Sequence, residues 1–211
     1  AGRRCSSVKN YWFVPLVTSC QPGGSPLSVR RAAFTMGASV PYNARFMSAF
    51  AREGTELGCD GVRLASIAAE VGTPVYVYSA ATIRDRVQRL RAAFGAHPHA
   101  IHYALKANSN LGVVRAIRAA GALVDANSGG EIDVALRAGF TPEEIVFTGV
   151  GKTPAEIDKA VALGVKAINA ESGGELQRIA VVARRRRTTA RVALRVNPNI
   201  ASNSHPHIST G

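Results

Sequence analysis

The sequence predicts an α/β fold in which parallel strands and helices alternate as the units of a (β/α)8 barrel. Two patterns carry that expectation. From about residue 74, short β-branched runs alternate with amphipathic stretches, the pattern of successive βα units. The phrase Asp125-Ala-Asn-Ser-Gly-Gly-Glu131 returns as Asn169-Ala-Glu-Ser-Gly-Gly-Glu175, 44 positions later, and a repeat spanning two βα units suits a barrel. A doubly wound open sheet is the alternative. It usually carries a glycine-rich nucleotide fingerprint after its first strand, which this sequence lacks.

The alternation begins with Pro74-Val-Tyr-Val-Tyr78 and the amphipathic stretch 83–94. Further strands are expected over residues 100–106, 122–126, 145–150, 165–170 and 191–196. The helices between them have legible ends. Gly121, Gly139 and Gly164 suit the left-handed position that follows a helix C-terminus. Ser128-Gly-Gly-Glu131, Thr153-Pro-Ala-Glu156 and Ser172-Gly-Gly-Glu175 each match a capping box, in which hydroxyl and carboxylate satisfy orphan backbone donors reciprocally. After Ser172, residues Leu176, Ile179, Ala180 and Ala183 form the helical stripe that packs on a sheet.

Three regions follow from this reading. Residues 1–46 are acid-free and lack sustained periodicity, as a disordered or targeting-like tail does. Residues 47–98 form a strand and helix lead-in, and residues 99–211 the barrel portion.

The formal charge is +12, which on its own would raise nucleic-acid binding. Its placement argues otherwise. Six basic residues and no acid precede Met47, and the run Arg184-Arg-Arg-Arg187 falls at an expected helix C-terminus, where cations favour the macrodipole. Basic residues interleaved with aromatics are missing, so no nucleic-acid partner is expected. No run approaches the roughly 18 apolar residues of a membrane span, so no membrane partner is expected either. Cys5, Cys20 and Cys59 have neither metal-ligand spacing nor a disulfide pattern, which fits a reducing compartment. No metal site is expected, because the His-Pro-His triplets at 97–99 and 205–207 have no further ligand at suitable spacing. The expected location is cytoplasmic, or a plastid if residues 1–46 are a transit peptide.

Thr148-Gly-Val-Gly-Lys-Thr153 invites a nucleotide-binding reading and fails the spacing test. A phosphate loop needs glycine where Val146 stands, and a dinucleotide fingerprint needs it at Pro154. A strand-to-helix turn with Pro154 at the first helical position is expected instead.

Lys106 ends the expected strand 100–106. Ile101, Tyr103 and Leu105 make the apolar set for the covering helices, so His102, Ala104 and Lys106 face the barrel interior. The functional groups of such barrels sit at the C-terminal strand ends, where a partly desolvated lysine can join a carbonyl compound covalently. Snorkelling at a strand end is the plain alternative.

Tyr103-Ala-Leu-Lys-Ala-Asn108 resembles the cofactor-lysine motif of the fold-type III decarboxylases and alanine racemases. Asp125-Ala-Asn-Ser-Gly-Gly-Glu131, Ile145-Val-Phe-Thr-Gly-Val-Gly-Lys-Thr153, Leu194-Arg-Val-Asn-Pro198 and His205-Pro-His-Ile-Ser-Thr-Gly211 narrow the resemblance to the diaminopimelate decarboxylase family. The likeness covers roughly residues 60–211.

The resemblance implies an alanine racemase-like barrel with about five of eight strands present, and pyridoxal 5'-phosphate as cofactor. It implies decarboxylation of meso-diaminopimelate to L-lysine, within a homodimer whose active site is shared. Lys106 is then the catalytic and cofactor-bearing lysine. Ala104 leaves room for the ring, or simply fills the barrel. Asp125 lies near the cofactor, with a turn or capping role as its rival, and Arg195 lies beside it, with a surface ion pair as its rival. Glu131 lies near the substrate, although capping already accounts for it. The family's phosphate-binding turn, pyridine-nitrogen glutamate, stacking histidine and C-terminal β-domain would lie beyond Gly211, so the chain alone is expected to be inactive. An ornithine- or arginine-type decarboxylase and a non-catalytic pyridoxal-phosphate-binding barrel are the other readings.

Overall fold

The computed structural model describes residues 49–197; the tail expected over 1–46 and His205 and His207 lie outside the described residues. A small antiparallel sheet comes first, with β1 (Phe50–Glu53), β2 (Glu56–Cys59) and β3 (Val62–Arg63) paired in chain order. α1 (Leu64–Val71) and α2 (Ala80–Phe94) follow. Asp60 ties this sheet to α2. Its backbone takes a left-handed φ of 52°, which aspartate tolerates better than most residues. Its carboxylate accepts from Ser79 Oγ at 2.7 Å and from Ala81 N at 3.1 Å. Ser79 in turn caps α2 by accepting from Thr82 N at 2.9 Å. The Ser79 hydrogen bond, reinforced by the Ala81 amide, holds the Asp60 carboxyl below the usual aspartate value.

The second sheet decides the fold class. β4 (His102–Ala104), β5 (Leu123–Ala126), β6 (Ile145–Phe147), β7 (Ala167–Ala170) and β8 (Val192–Leu194) are parallel and adjacent in chain order. An open doubly wound sheet reverses its strand order at a switch point, and a barrel wall does not. The covering helices are α3 (Leu111–Ala119), α4 (Gly129–Arg137), α5 (Pro154–Leu163) and α6 (Gly173–Arg185).

The core lies between strands and helices. Leu105, Val114, Val124, Ile132, Ile145, Phe147, Ile157, Ile168 and Ile179 form its buried centre, each large side chain contributing about 1.5–3 kcal/mol over an exposed position. Strand residues 124 and 126, 145 and 147, and 168 and 170 face this core. Alternation therefore turns Ala104, Asp125, Val146 and Ala167, which are register partners across the sheet, to the barrel interior.

Several expectations need correction. Residues 74–78 make no strand pairing; they run as irregular chain ahead of α2, with Tyr76 and Tyr78 exposed. Their β-branched and aromatic composition marks strand propensity, yet no neighbouring strand lies beside them among the described residues. The strand expected over 100–106 stops at Ala104, and Leu105–Ala107 forms a single 3-10 turn. β6 and β8 likewise end at Phe147 and Leu194.

Only one of the three expected capping boxes is reciprocal. Thr153 and Glu156 bond each other's backbone amide at the start of α5, with Pro154 in its first turn. At Ser128 and Ser172 the hydroxyls accept from Glu131 N and Glu175 N, but the carboxylates reach one residue further back, to Asn127 N at 2.7 Å and Glu171 N at 2.9 Å. The N-cap backbone accounts for the difference. Thr153 has φ −71°, whereas Ser128 and Ser172 are extended at −152° and −158°, which presents the preceding N–H to the helix in place of their own.

Gly121, Gly139 and Gly164 all adopt positive φ just past their helices, as expected. The arginine run ends α6, and two of its members are engaged: Arg185 and Arg186 both pair with Asp158 of α5. These contacts draw the Asp158 carboxyl down to about 2. Among the described residues no helix is long and apolar enough to cross a membrane, and no cluster of ligating side chains could hold a metal.

Candidate functional site

Lys106, Ala104, Asp125 and Glu131 lie near one another at the C-terminal ends of β4 and β5, whereas Arg195 follows β8 at the other edge of the sheet. Lys106 stands in the 3-10 turn directly after β4. Leu105, fully buried, anchors that turn on one side, and the Tyr103 hydroxyl donates to Asn108 O at 3.1 Å on the other. Lys106 itself is exposed. The apolar parity expected for its neighbours is present, since Ile101, Tyr103 and Leu105 all pack into helix-side clusters.

Asp125 sits opposite Ala104 in the parallel register. Burial raises its carboxyl above the usual aspartate value. The Thr148 side chain, Lys106 and Lys152 oppose that rise, while Glu131 adds to it. Asp125 Oδ1 and Asn127 Nδ2 are buried without a hydrogen-bond partner. Orphaned buried polar atoms are costly and call for an occupant, and here an acceptor and a donor lie on the same strand end.

Glu131 and Arg195 are committed to protein partners. Glu131 Oε2 accepts from Asn127 N, so it shapes the turn that presents Asn127. Arg195, the residue after β8, stays in the ladder through Arg195 N to Ala170 O at 3.0 Å. Its guanidinium pairs with Glu171 at 3.1 Å.

Four residues that the sequence does not mark as functional organise this rim. Lys152 and Glu175 form an ion pair at 3.2 Å with side-chain exposures of 1% and 2%. Lys152 Nζ also donates to Gly149 O at 2.7 Å and Asn169 O at 2.6 Å, joining the ends of β6 and β7 to the first turn of α6. Thr148 and Asn169 are the other two, linked by Asn169 Nδ2 donating to Thr148 Oγ1 at 2.8 Å. A signal for Asn169 was present, because the internal echo aligns it with Asp125. Lys152 was visible in a failed phosphate-loop pattern and within the family-like segment 145–153, neither of which marks it as buried.

These groups fit pyridoxal phosphate on this structure's own terms. They offer an exposed primary amine at a strand end, a small residue beside it at Ala104, and an unsatisfied buried acceptor and donor on the adjoining strand. Metal-ligating clusters, by contrast, are absent among the described residues.

Comparison with known proteins agrees. Residues 80–211 match the family described as pyridoxal-dependent decarboxylase, pyridoxal binding domain, and the chain belongs to that family. Its similar relatives are more specific. Diaminopimelate decarboxylase of Pseudomonas aeruginosa is 44% identical over 165 residues, covering 78% of this chain and 40% of the relative. Among solved structures, diaminopimelate decarboxylase of M. jannaschii superimposes with a TM-score of 0.71 at 34% identity, covering 77% of this chain and 39% of that one. The Helicobacter pylori enzyme complexed with L-lysine gives 0.66 at 39% identity, covering 70% and 38%. The chain thus spans about 40% of the length of the curated relatives it matches.

Proposed function

We propose that this chain serves in the pyridoxal-phosphate-dependent decarboxylation of meso-diaminopimelate to L-lysine, with Lys106 as the cofactor-bearing residue. The observation that carries the reading is the placement of Lys106 in the turn directly after the first barrel strand, next to the register pair Ala104 and Asp125. The family and its diaminopimelate-decarboxylating relatives support it. An ornithine- or arginine-type reaction on the same fold is the alternative, and the substrate comparison below separates the two.

Lys106 would hold the cofactor through its Nζ, and Ala104, Asp125 and Arg195 would border it. When bound, pyridoxal phosphate withdraws the electron pair left behind as carbon dioxide departs. Lys106 Nζ, when not holding the cofactor, would be available to carry a proton at that strand end. Asp125 supplies negative charge in a half-buried setting. Glu131 holds the Asn127 turn and borders the substrate side. The substrate is a small amino acid, the working unit a homodimer that shares its sites, and the location cytoplasmic.

The test has two parts. The protein is incubated with pyridoxal phosphate, reduced with borohydride and digested; mass spectrometry should find the phosphopyridoxyl group on Lys106, and Lys106→Ala should lose it. Carbon dioxide release is then compared among meso-diaminopimelate, ornithine and arginine for this chain and for a longer chain carrying the downstream family segments. Turnover of meso-diaminopimelate is expected from the longer chain alone. Label at another lysine would overturn the assignment of Lys106, and preference for ornithine or arginine would overturn the substrate.

A further inference from the structure

The inner face of the barrel wall carries a row of polar side chains that the cofactor lysine does not explain. Asp125 pairs in register with Val146, and Val146 with Ala167. Two residues further along each strand, on the same face, stand Thr148 and Asn169. Their side chains meet, Asn169 Nδ2 donating to Thr148 Oγ1 at 2.8 Å. A hydroxyl that accepts from an amide keeps its own hydrogen for another acceptor. The acceptor one strand over is Asp125, whose Oδ1 accepts no hydrogen bond from the chain in this structure.

The backbones of both residues are held in place. Thr148 N donates to Ala126 O at 2.7 Å. The next residue, Gly149, has φ 107° and approaches Asn127 so closely that a Cβ there would lie 2.6 Å from Asn127 O. Lys152 Nζ binds Gly149 O and Asn169 O from the other side. Glu175 Oε2 neutralises that ammonium and also accepts from Glu171 N. Such a buried pair is a poor source of net stability, since desolvation offsets most of its attraction. It does fix geometry, because the ammonium's three donors all have acceptors.

We propose that Thr148 and Asn169, clamped by Lys152, are positioning residues that aim a hydrogen bond at Asp125 and so set the orientation and charge of the carboxylate on the cofactor face. The proposal rests on the functional reading above for the importance of that face, but its chemistry can be read without cofactor. Charged groups reach Asp125 from three elements: Lys106 after β4, Glu131 on α4 and Lys152 after β6. All three are left unchanged by a Thr148 substitution.

The experiment is a titration of the Asp125 side-chain carbonyl by 13C NMR in the cofactor-free chain, for wild type, Thr148→Val, Thr148→Ser and Lys152→Met. Thr148→Val keeps the shape and removes the hydroxyl, so the Asp125 midpoint should rise by about half a pH unit or more. Thr148→Ser keeps the hydroxyl and should titrate within about 0.2 of wild type. Lys152→Met should shift the midpoint upward as well; if it does not fold, the two Thr148 variants decide alone. An unmoved midpoint in Thr148→Val, or an equal shift in Thr148→Ser, overturns the proposal. Failure of the borohydride label on Lys106 alongside the expected midpoints would sink the functional reading and leave the positioning role standing.

Discussion

Lys152 Nζ lies 3.2 Å from Glu175 Oε2, and neither side chain is more than 2% exposed. The pair joins a loop of one βα unit to the helix of the next, at the rim where the functional residues gather. Its loss should be felt as a loss of stability as well as of order. Lys152→Met leaves a buried carboxylate without its counter-ion and should cost about 3–5 kcal/mol. The double variant Lys152→Met/Glu175→Leu should recover part of that loss, because no unpaired charge remains. Urea denaturation of the three proteins measures both effects, and a double variant less stable than the single one would refute the compensation.

Gly149 and Gly151 provide an internal control on backbone strain. Both have positive φ, but a Cβ at Gly149 would meet Asn127 O at 2.6 Å while one at Gly151 meets nothing within 4 Å. Gly151→Ala should cost about 1–2 kcal/mol for the left-handed backbone alone. Gly149→Ala should cost at least about 1 kcal/mol more, since two backbones must move apart. Thermal midpoints of the two variants should therefore fall in that order.

Asp125 should display a conflict between stability and use. Burial raises its carboxyl, so the folded state favours the protonated form more than the unfolded chain does. Its contribution is thus least unfavourable below the ordinary aspartate value of 3.8 and becomes a penalty as pH rises through the folded value. Asp125→Asn should raise the urea midpoint at pH 7, do so less at pH 3, and weaken retention of pyridoxal phosphate on gel filtration. A variant less stable than wild type at pH 7 would contradict this account.

Glu156 and Asp158 should make the helix layer acid-sensitive. The Glu156 carboxyl is lowered, chiefly by the Gly129 amide and then by Thr153, and the Asp158 carboxyl falls to about 2, chiefly through Arg186. A depressed folded value means stability that is present above the unfolded value and lost as pH falls. The Glu156 contribution should fade below about 4.5, and that of Asp158 between 3.8 and about 2. Glu156→Gln and Asp158→Asn should each flatten the acid limb of a stability profile in its own window. Salt should weaken the Asp158 contribution more, because its partners are exposed cations whereas those of Glu156 are chiefly neutral hydrogen-bond donors.

Much of this was legible in the sequence because the governing forces are local or periodic. Alternation in Ile101, Tyr103 and Leu105, the glycines after α3, α4 and α5, and the Thr153 cap each follow from backbone geometry within a few residues. The 44-residue echo between Asp125 and Asn169 added the barrel, and the motif around Lys106 pointed to its chemistry. What the sequence concealed depended on partners distant in the chain. Residues 74–78 have strand composition but no strand beside them. The carboxylates of Glu131 and Glu175 bond one residue further back than a capping box requires, because an extended N-cap turns its own amide away. Lys152 and Glu175 look like surface residues, and only their meeting across 23 positions makes burial of either one tolerable. By itself the sequence determined the five barrel strands with the helices between them, and which lysine follows the first of those strands. The tertiary structure alone decided that Lys152, Glu175, Thr148 and Asn169 meet at the ends of β6 and β7, because desolvation and pairing of charge are settled only when the strands align.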